Sequence, residues 1–577
     1  MSSLVTLTST RTQRALNRID LQTLLFVLTL AAVLFLVVYP IFLVILNSFQ
    51  VAPPGRAPVF GFDGWRTALS EPGMRSSIYN TLALVFVRQA IAFPIAILVT
   101  WIIARTDIPW RGALEFMFWL SFFLPSLSVT LGWILLLAPQ YGILNRAWTT
   151  LFQGAQGPFD IYSFWGIVWT HLATYGISLK VMLLAPAFRN MNASFEEASR
   201  ACGASSLRTL VRIVVPIMTP ALMIVFLLST IRGLQTFEIE MILGAPIGLF
   251  VYSTKIYTLL FQEPPAFASA TALSTITLLI LLPFILLQRW MIGRKQYTTV
   301  ESRYQANVTR LGFWRYPAFT FVLLLCLLLT FVPVIFLLAA TFMKLFGFFD
   351  IAAPWTLANW ERVLTDPVFI KSLLNTLVVG VGAGLIAVFL FSIIAYLSVK
   401  SKFAARPVLD FISWLPITLP GILVGIGLLW LFLGNAIFRP FYGTVTLLII
   451  ASVISGMPLG TQIIKSNLVQ IGSDMEEASL IAGANWWATY RRIVLALMMP
   501  ILVLVGVMNF ISAARDISHV ALLATHNSRT LALLQLDFMV AGQYEKAAVV
   551  ATLVVLLSTG GILLTRLLGL RLGSLGE

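Results

Sequence analysis

Glu197-Ala198-Ser199, followed after three residues by Gly203 and after nine more by Ile213-Val214-Val215-Pro216, returns as Glu477-Ala478-Ser479, Gly483 and Ile493-Val494-Leu495-Ala496. The glutamate, glycine and isoleucine all recur at an offset of 280. A chain that keeps such spacing twice holds one structural device in two copies, which makes self-similarity the first thing to trace. Trp65, Pro72 and Asn80-Thr81-Leu82 recur as Trp360, Pro367 and Asn375-Thr376-Leu377 at an offset of 295, which also maps Pro125 and Gly132 onto Pro420 and Gly427. Pro40 with Ser48-Phe49 matches Pro333 with Thr341-Phe342 at an offset of 293. The fall from 295 to 280 puts about fifteen extra residues in the first half, most simply in Pro139–Asp160, where Gly154-Ala155-Gln156-Gly157-Pro158 reads as loop.

The surroundings of these motifs are apolar. With 59% hydrophobic and 11% charged residues and a mean hydropathy of +0.93, the 577-residue chain is excluded from the soluble globular class. Uncharged runs of bilayer-spanning length lie near Leu21–Leu46, Ile78–Ala104, Ala113–Ala138, Ile161–Pro186, Val214–Ile231 and Ala266–Leu287 in the first half. Tyr316–Met343, Ser372–Val399, Leu409–Leu433, Thr444–Ile464, Ile493–Ala514 and Ala547–Leu564 follow in the second. Backbone embedded in lipid must satisfy its own hydrogen bonds, so each run is predicted to be helical. The expectation is an all-α integral membrane protein of about twelve transmembrane helices, arranged as two parallel six-helix repeats over 1–305 and 306–577. An even number of spans gives both halves the same sense, a pseudo-two-fold axis along the membrane normal and a path between them.

Lys and Arg cluster at Arg11/Arg14/Arg18, in Arg289–Arg315 and at Lys400/Lys402/Arg406, which predicts that both termini are cytoplasmic. The net charge of +15 is then a topogenic signal and a match to the lipid bilayer, not evidence for nucleic acid. The first apolar run exceeds a cleavable leader and reads as a retained span. Cys202 and Cys326 fall in different environments and form neither a disulfide framework nor a metal-ligand spacing. With three histidines, His171, His519 and His526, and no paired carboxylates in a plausible pocket, no catalytic or metal residue is predicted. His171 reads as packing.

Ser194-Phe195-Glu196-Glu197 and Asp474-Met475-Glu476-Glu477 have the capping-box form and predict a short helix in each loop. Gly203 and Gly483 supply a left-handed stop, and Ser205 and Asn485 can cap a second helix leading into the fifth span. These loops resemble the EAA loops of permease subunits of type I ABC importers, once per half and over nearly the whole chain. The resemblance implies a bacterial inner-membrane, multi-pass permease of the type I fold with no cofactor of its own. Its implied partners are two copies of a cytoplasmic ABC ATPase that bind ATP and Mg, and a periplasmic or extracellular solute-binding protein. Glu197, Ala198, Ser199 and Gly203, with Glu477, Ala478, Ser479 and Gly483, would be the ATPase-coupling residues. The absence of any Gly-Lys dipeptide agrees, because no Walker A phosphate cradle can be written. Ala496 departs from the family pattern where Pro216 follows it.

Charges at membrane depth are costly enough to suggest function, and Arg88, Arg232, Glu238, Arg515 and Asp516 are the candidates for a translocation path or gate. The run Ala514-Arg515-Asp516-Ile517-Ser518 with Ser528-Arg529-Thr530-Leu531 resembles the ferric-iron group of these permeases, which implies ferric iron as cargo. Related chains serve thiamine, phosphonates or other phosphorylated solutes, or polyamines. A different class, an ion-gradient-driven twelve-span secondary transporter, would give no reason for two matched loops.

Overall fold

The structure, a computed structural model, describes residues 21–153, 157–294, 308–472 and 474–567. The basic cluster at Arg11/Arg14/Arg18, residues 154–156 of the Gly-rich stretch and the repeat boundary at 305/306 lie outside them. Among the described residues regular structure is helical, with three isolated bridges. Among the described residues, nine helices are long and apolar enough to cross a membrane, and four bent pairs raise the number to as many as thirteen. The pair Glu240–Ile247 and Tyr252–Phe261, bent by 80°, follows the fifth span of the first half. Its counterpart is only a short turn, Val520–Leu523, and the apolar helix Leu531–Val540. Taking both as re-entrant leaves six crossings per half, as the parallel duplication requires.

Proline sets the bends of the third spans. Its ring disfavours helical backbone at the preceding residue, and Leu124 and Leu419 adopt extended ψ values of 135° and 126° before Pro125 and Pro420. The helices on either side diverge by 96° in Arg111–Phe123 plus Ser126–Leu137 and by 111° in Arg406–Ile417 plus Gly421–Gly434. Beyond the bends, Gly132 and Gly427 sit against the backbone of Pro333 and Pro40, where an added Cβ would lie 2.1 and 2.9 Å from a carbonyl oxygen. The first span of each half therefore packs on the third span of the other, and the two glycines are needed for that reciprocal approach.

The stretches between the spans also carry short helices. Within Pro139–Asp160 the chain forms the helix Ile143–Phe152, fixed by the Asn145 amide donating to the carbonyls of Ala138 (2.9 Å) and Phe159 (2.7 Å). Trp65 and Trp360 fall in the short helices Asp63–Ser70 and Ala358–Leu364. Trp65 packs against Phe49 and Trp360 against Phe342, with ring centroids 5.6 and 6.4 Å apart.

Candidate functional site

The two repeated loops form the helices Ser194–Ala201 and Asp474–Ile481. Gly203 and Gly483 end them at φ of 78° and 87°, and the N–H groups of Ala204 and Ala484 donate back to Ser199 and Ser479, both at 3.1 Å. Ser205 then accepts from the Arg208 N–H at 3.4 Å, and Asn485 from the Ala488 N–H at 2.8 Å, capping the next helix. One wide turn in each half, Leu210–Val214 and Tyr490–Val494, leads into Val215–Leu234 and Leu495–Ala514. Ala496 in place of Pro216 leaves this junction unchanged.

The predicted capping box at Ser194 does not form. Ser194 is itself the first helical residue, and its N–H is accepted by the side chain of Asn192 at 3.0 Å. Glu196 turns inward instead, because a cation on the second span offers its carboxylate a stronger partner than a backbone amide. Arg105 donates to Glu196 Oε2 from Nη2 (2.7 Å) and Nε (3.2 Å), and Trp101 Nε1 donates to Oε1 (3.3 Å). In the second loop Lys400 Nζ lies 3.1 Å from Glu476 Oε1, and the Tyr396 hydroxyl donates to Oε2 at 2.8 Å. Trp101 and Tyr396, like Arg105 and Lys400, are equivalent at the offset of 295. The same two cations also donate to the carbonyls of Met191 (3.1 Å) and Ile471 (2.8 Å), at the offset of 280.

Each helix is thus fastened on one face to its own second span. Ser199 and Ser479 add hydroxyl contacts to Thr209 (2.8 Å) and Thr489 (2.9 Å) on the element that follows. Glu197, Ala198, Glu477 and Ala478 are exposed on the other face. The inward carboxylates of Glu196 and Glu476 were missed in the sequence. Their signal was a cation at matched positions near the end of each second span.

Between the halves lies a cavity of about 330 Å³, and it brings together Arg232, Glu238, Arg515 and Asp516. Glu238 accepts from the Ser126 hydroxyl. Asp516 pairs with His519 and accepts the Ser518 N–H at 3.1 Å. Arg515 Nη1 donates to the Phe122 carbonyl at 2.9 Å, with its guanidinium 5.5 and 5.8 Å from the Phe122 and Phe123 rings.

Arg88 lies behind this cavity. It is buried on the second span, donates from Nη2 to the Gly233 carbonyl at 2.9 Å and borders a smaller void of about 30 Å³. His171 is not apolar packing, since its Nε2 is 2.8 Å from Glu240 Oε1, which also accepts from the Thr236 hydroxyl at 2.6 Å. Lys180, also buried, donates to the Gly176 carbonyl at 2.8 Å.

The structure is thus a duplicated helical membrane protein, with a fastened loop in each half and a charged cavity where the halves meet. The chain belongs to the family described as binding-protein-dependent transport system inner membrane component, which matches residues 92–297 and 380–574, and it is a multi-pass inner-membrane permease. A Haemophilus influenzae protein that carries a ferric transport system permease name is 29% identical over 70% of this chain and 63% of its own length. The ferric transport system permease protein of Actinobacillus pleuropneumoniae is 27% identical over 76% of this chain and 63% of its own. The chain therefore spans less than two thirds of these two relatives. A Sinorhizobium fredii protein named as a probable ABC transporter permease is 26% identical over 88% of this chain and 90% of its own length.

Proposed function

We propose that the chain is the solute-translocating permease of an ATP-driven ABC importer. Two cytoplasmic ABC ATPases, which bind ATP and Mg, seat against the exposed faces of Ser194–Ala201 and Asp474–Ile481. A binding protein delivers solute on the opposite side of the membrane, and both termini lie on the ATPase side. The observation that carries this reading is the mechanical continuity of each loop. One face is fastened through Glu196 or Glu476 to a second span, and the chain runs on without a flexible break into a fifth span that reaches the cavity at Arg232 or Ser512. Movement of the loops is transmitted to the cavity wall, and drawing them together reorients the two halves from one side of the membrane to the other.

The names of two relatives support ferric iron as the cargo. The test of coupling is charge reversal on the exposed faces. Glu197→Arg combined with Glu477→Arg should reduce binding-protein-stimulated ATP hydrolysis to its unstimulated level while the chain remains inserted; unchanged stimulated turnover removes the assigned role. The cargo is tested by elemental analysis of what the cognate binding protein retains on purification.

A further inference from the structure

We propose that the central cavity is an anion site, which takes a small solute bearing carboxylate or phosphate oxygens between Arg232 of the first half and Arg515 of the second. This rests on the reading of the cavity as the translocation path. A guanidinium at membrane depth is costly unless its N–H groups find acceptors. Arg515 is held in place by the Phe122 carbonyl and two aromatic rings, yet one contact uses only one of its five donors. Arg232 lines the same space, and among the described residues its side chain makes no hydrogen bond or ion pair.

Three carboxylates line the cavity and each is already engaged, Glu238 by Ser126, Glu240 by His171 and Thr236, and Asp516 by His519 and the Ser518 N–H. The unused hydrogen-bonding capacity facing the cavity is therefore largely that of donors. Behind the wall, Arg88 and Lys180 are buried in the first half, so the surroundings add positive charge. A bare metal cation would need a cluster of oxygen, nitrogen or sulfur ligands. Among the described residues no group of three His, Cys, Asp or Glu side chains could hold one.

The guanidinium fork matches the spacing of carboxylate and phosphate oxygens. At the repeat offset Arg232 corresponds to Ser512, and Arg515 to Gln235, so the arginines are not symmetry equivalents but lie about one helical turn apart. Each half supplies one side of a diagonal clamp. A movement that separates the halves draws the guanidiniums apart and releases the anion.

The test is equilibrium binding to the full chain in lipid nanodiscs, using radiolabelled inorganic phosphate, radiolabelled citrate and ferric citrate labelled on the iron. At least one probe should bind saturably. Arg232→Gln and Arg515→Gln should each weaken it by about tenfold or more, and Arg232→Lys by less, since it keeps the charge but loses the fork. Thermal unfolding of Arg232→Gln should match the parent, because that side chain has no protein partner to lose. Binding of phosphate or citrate alone assigns a free anion, and binding of ferric citrate alone assigns an anion carried on the metal; either supports the site. No saturable binding of all three probes, or binding indifferent to both glutamine variants, overturns it. Arginine-dependent binding in a chain that no ATPase drives would instead overturn the importer reading and leave the anion site standing.

Discussion

In the first half, the second and fourth spans and the segment after the fifth meet through Arg88, His171, Lys180 and Glu240; the equivalent positions of the second half hold Ala383, Ala451, Gly460 and Val520. The second half closes the space by helix approach instead. A Cβ on Gly460 would lie 2.4 Å from Phe391, and one on Gly384 would lie 2.9 Å from the Gly506 carbonyl. One hydrogen bond, from Asn509 Nδ2 to the Ala383 carbonyl at 2.9 Å, accompanies that packing. The same helix arrangement is thus stabilised by mutually dependent polar groups on one side and by small residues on the other. The first half should tolerate truncation poorly, and the second should tolerate enlargement poorly.

The largest effect is expected for Glu240→Ala, which takes their shared carboxylate acceptor from His171 and Thr236 inside a buried site and should cost about 3–5 kcal/mol. Val520→Ala at the equivalent position removes two methyl groups' worth of apolar contact, about 1.5 kcal/mol. Unfolding of both variants in detergent checks the pair, and equal losses would break the comparison.

Glu196→Gln should come next, at about 1.5–3 kcal/mol, because Arg105 and Glu196 are 3% and 2% exposed and the carboxylate accepts three N–H bonds. Glu476→Gln should cost less, since Lys400 and Glu476 are 15% and 12% exposed. Hydrogen exchange in the two loops reads the difference directly.

Gly460→Leu should lose about 1–3 kcal/mol by driving its side chain into Phe391. Lys180→Leu, at the matching place in the first half, replaces a buried cation with an apolar residue and should be neutral or stabilising. A loss in that variant as large as in Gly460→Leu would show that enlargement is no special weakness of the second half. The smallest effects belong to the helix caps. Asn485→Ala should cost about 1 kcal/mol and Ser205→Ala less, in line with their 2.8 and 3.4 Å bonds, as followed by protease cleavage of each loop.

Much of this asymmetry was invisible in the sequence for a physical reason. Gly203, Gly483, Ser205 and Asn485 act on the backbone within a few residues, so their turns and caps were legible from spacing. Glu196 and His171 find partners 91 and 69 residues away, and no local pattern announces such a pairing. Depth in the membrane could also be read, but direction could not. The spans are apolar on nearly every side, so they lack the periodicity that would place Arg88 behind the cavity and Arg232 in its wall.

The duplicated loops matter only if they deliver work to the cavity, and uptake into proteoliposomes measures that most directly. With ATPase subunits, binding protein and ATP present, the chain should accumulate the solute its binding protein carries, and with the chain alone a proton or sodium gradient should drive none. Uptake sustained by either gradient without ATPases would contradict the account.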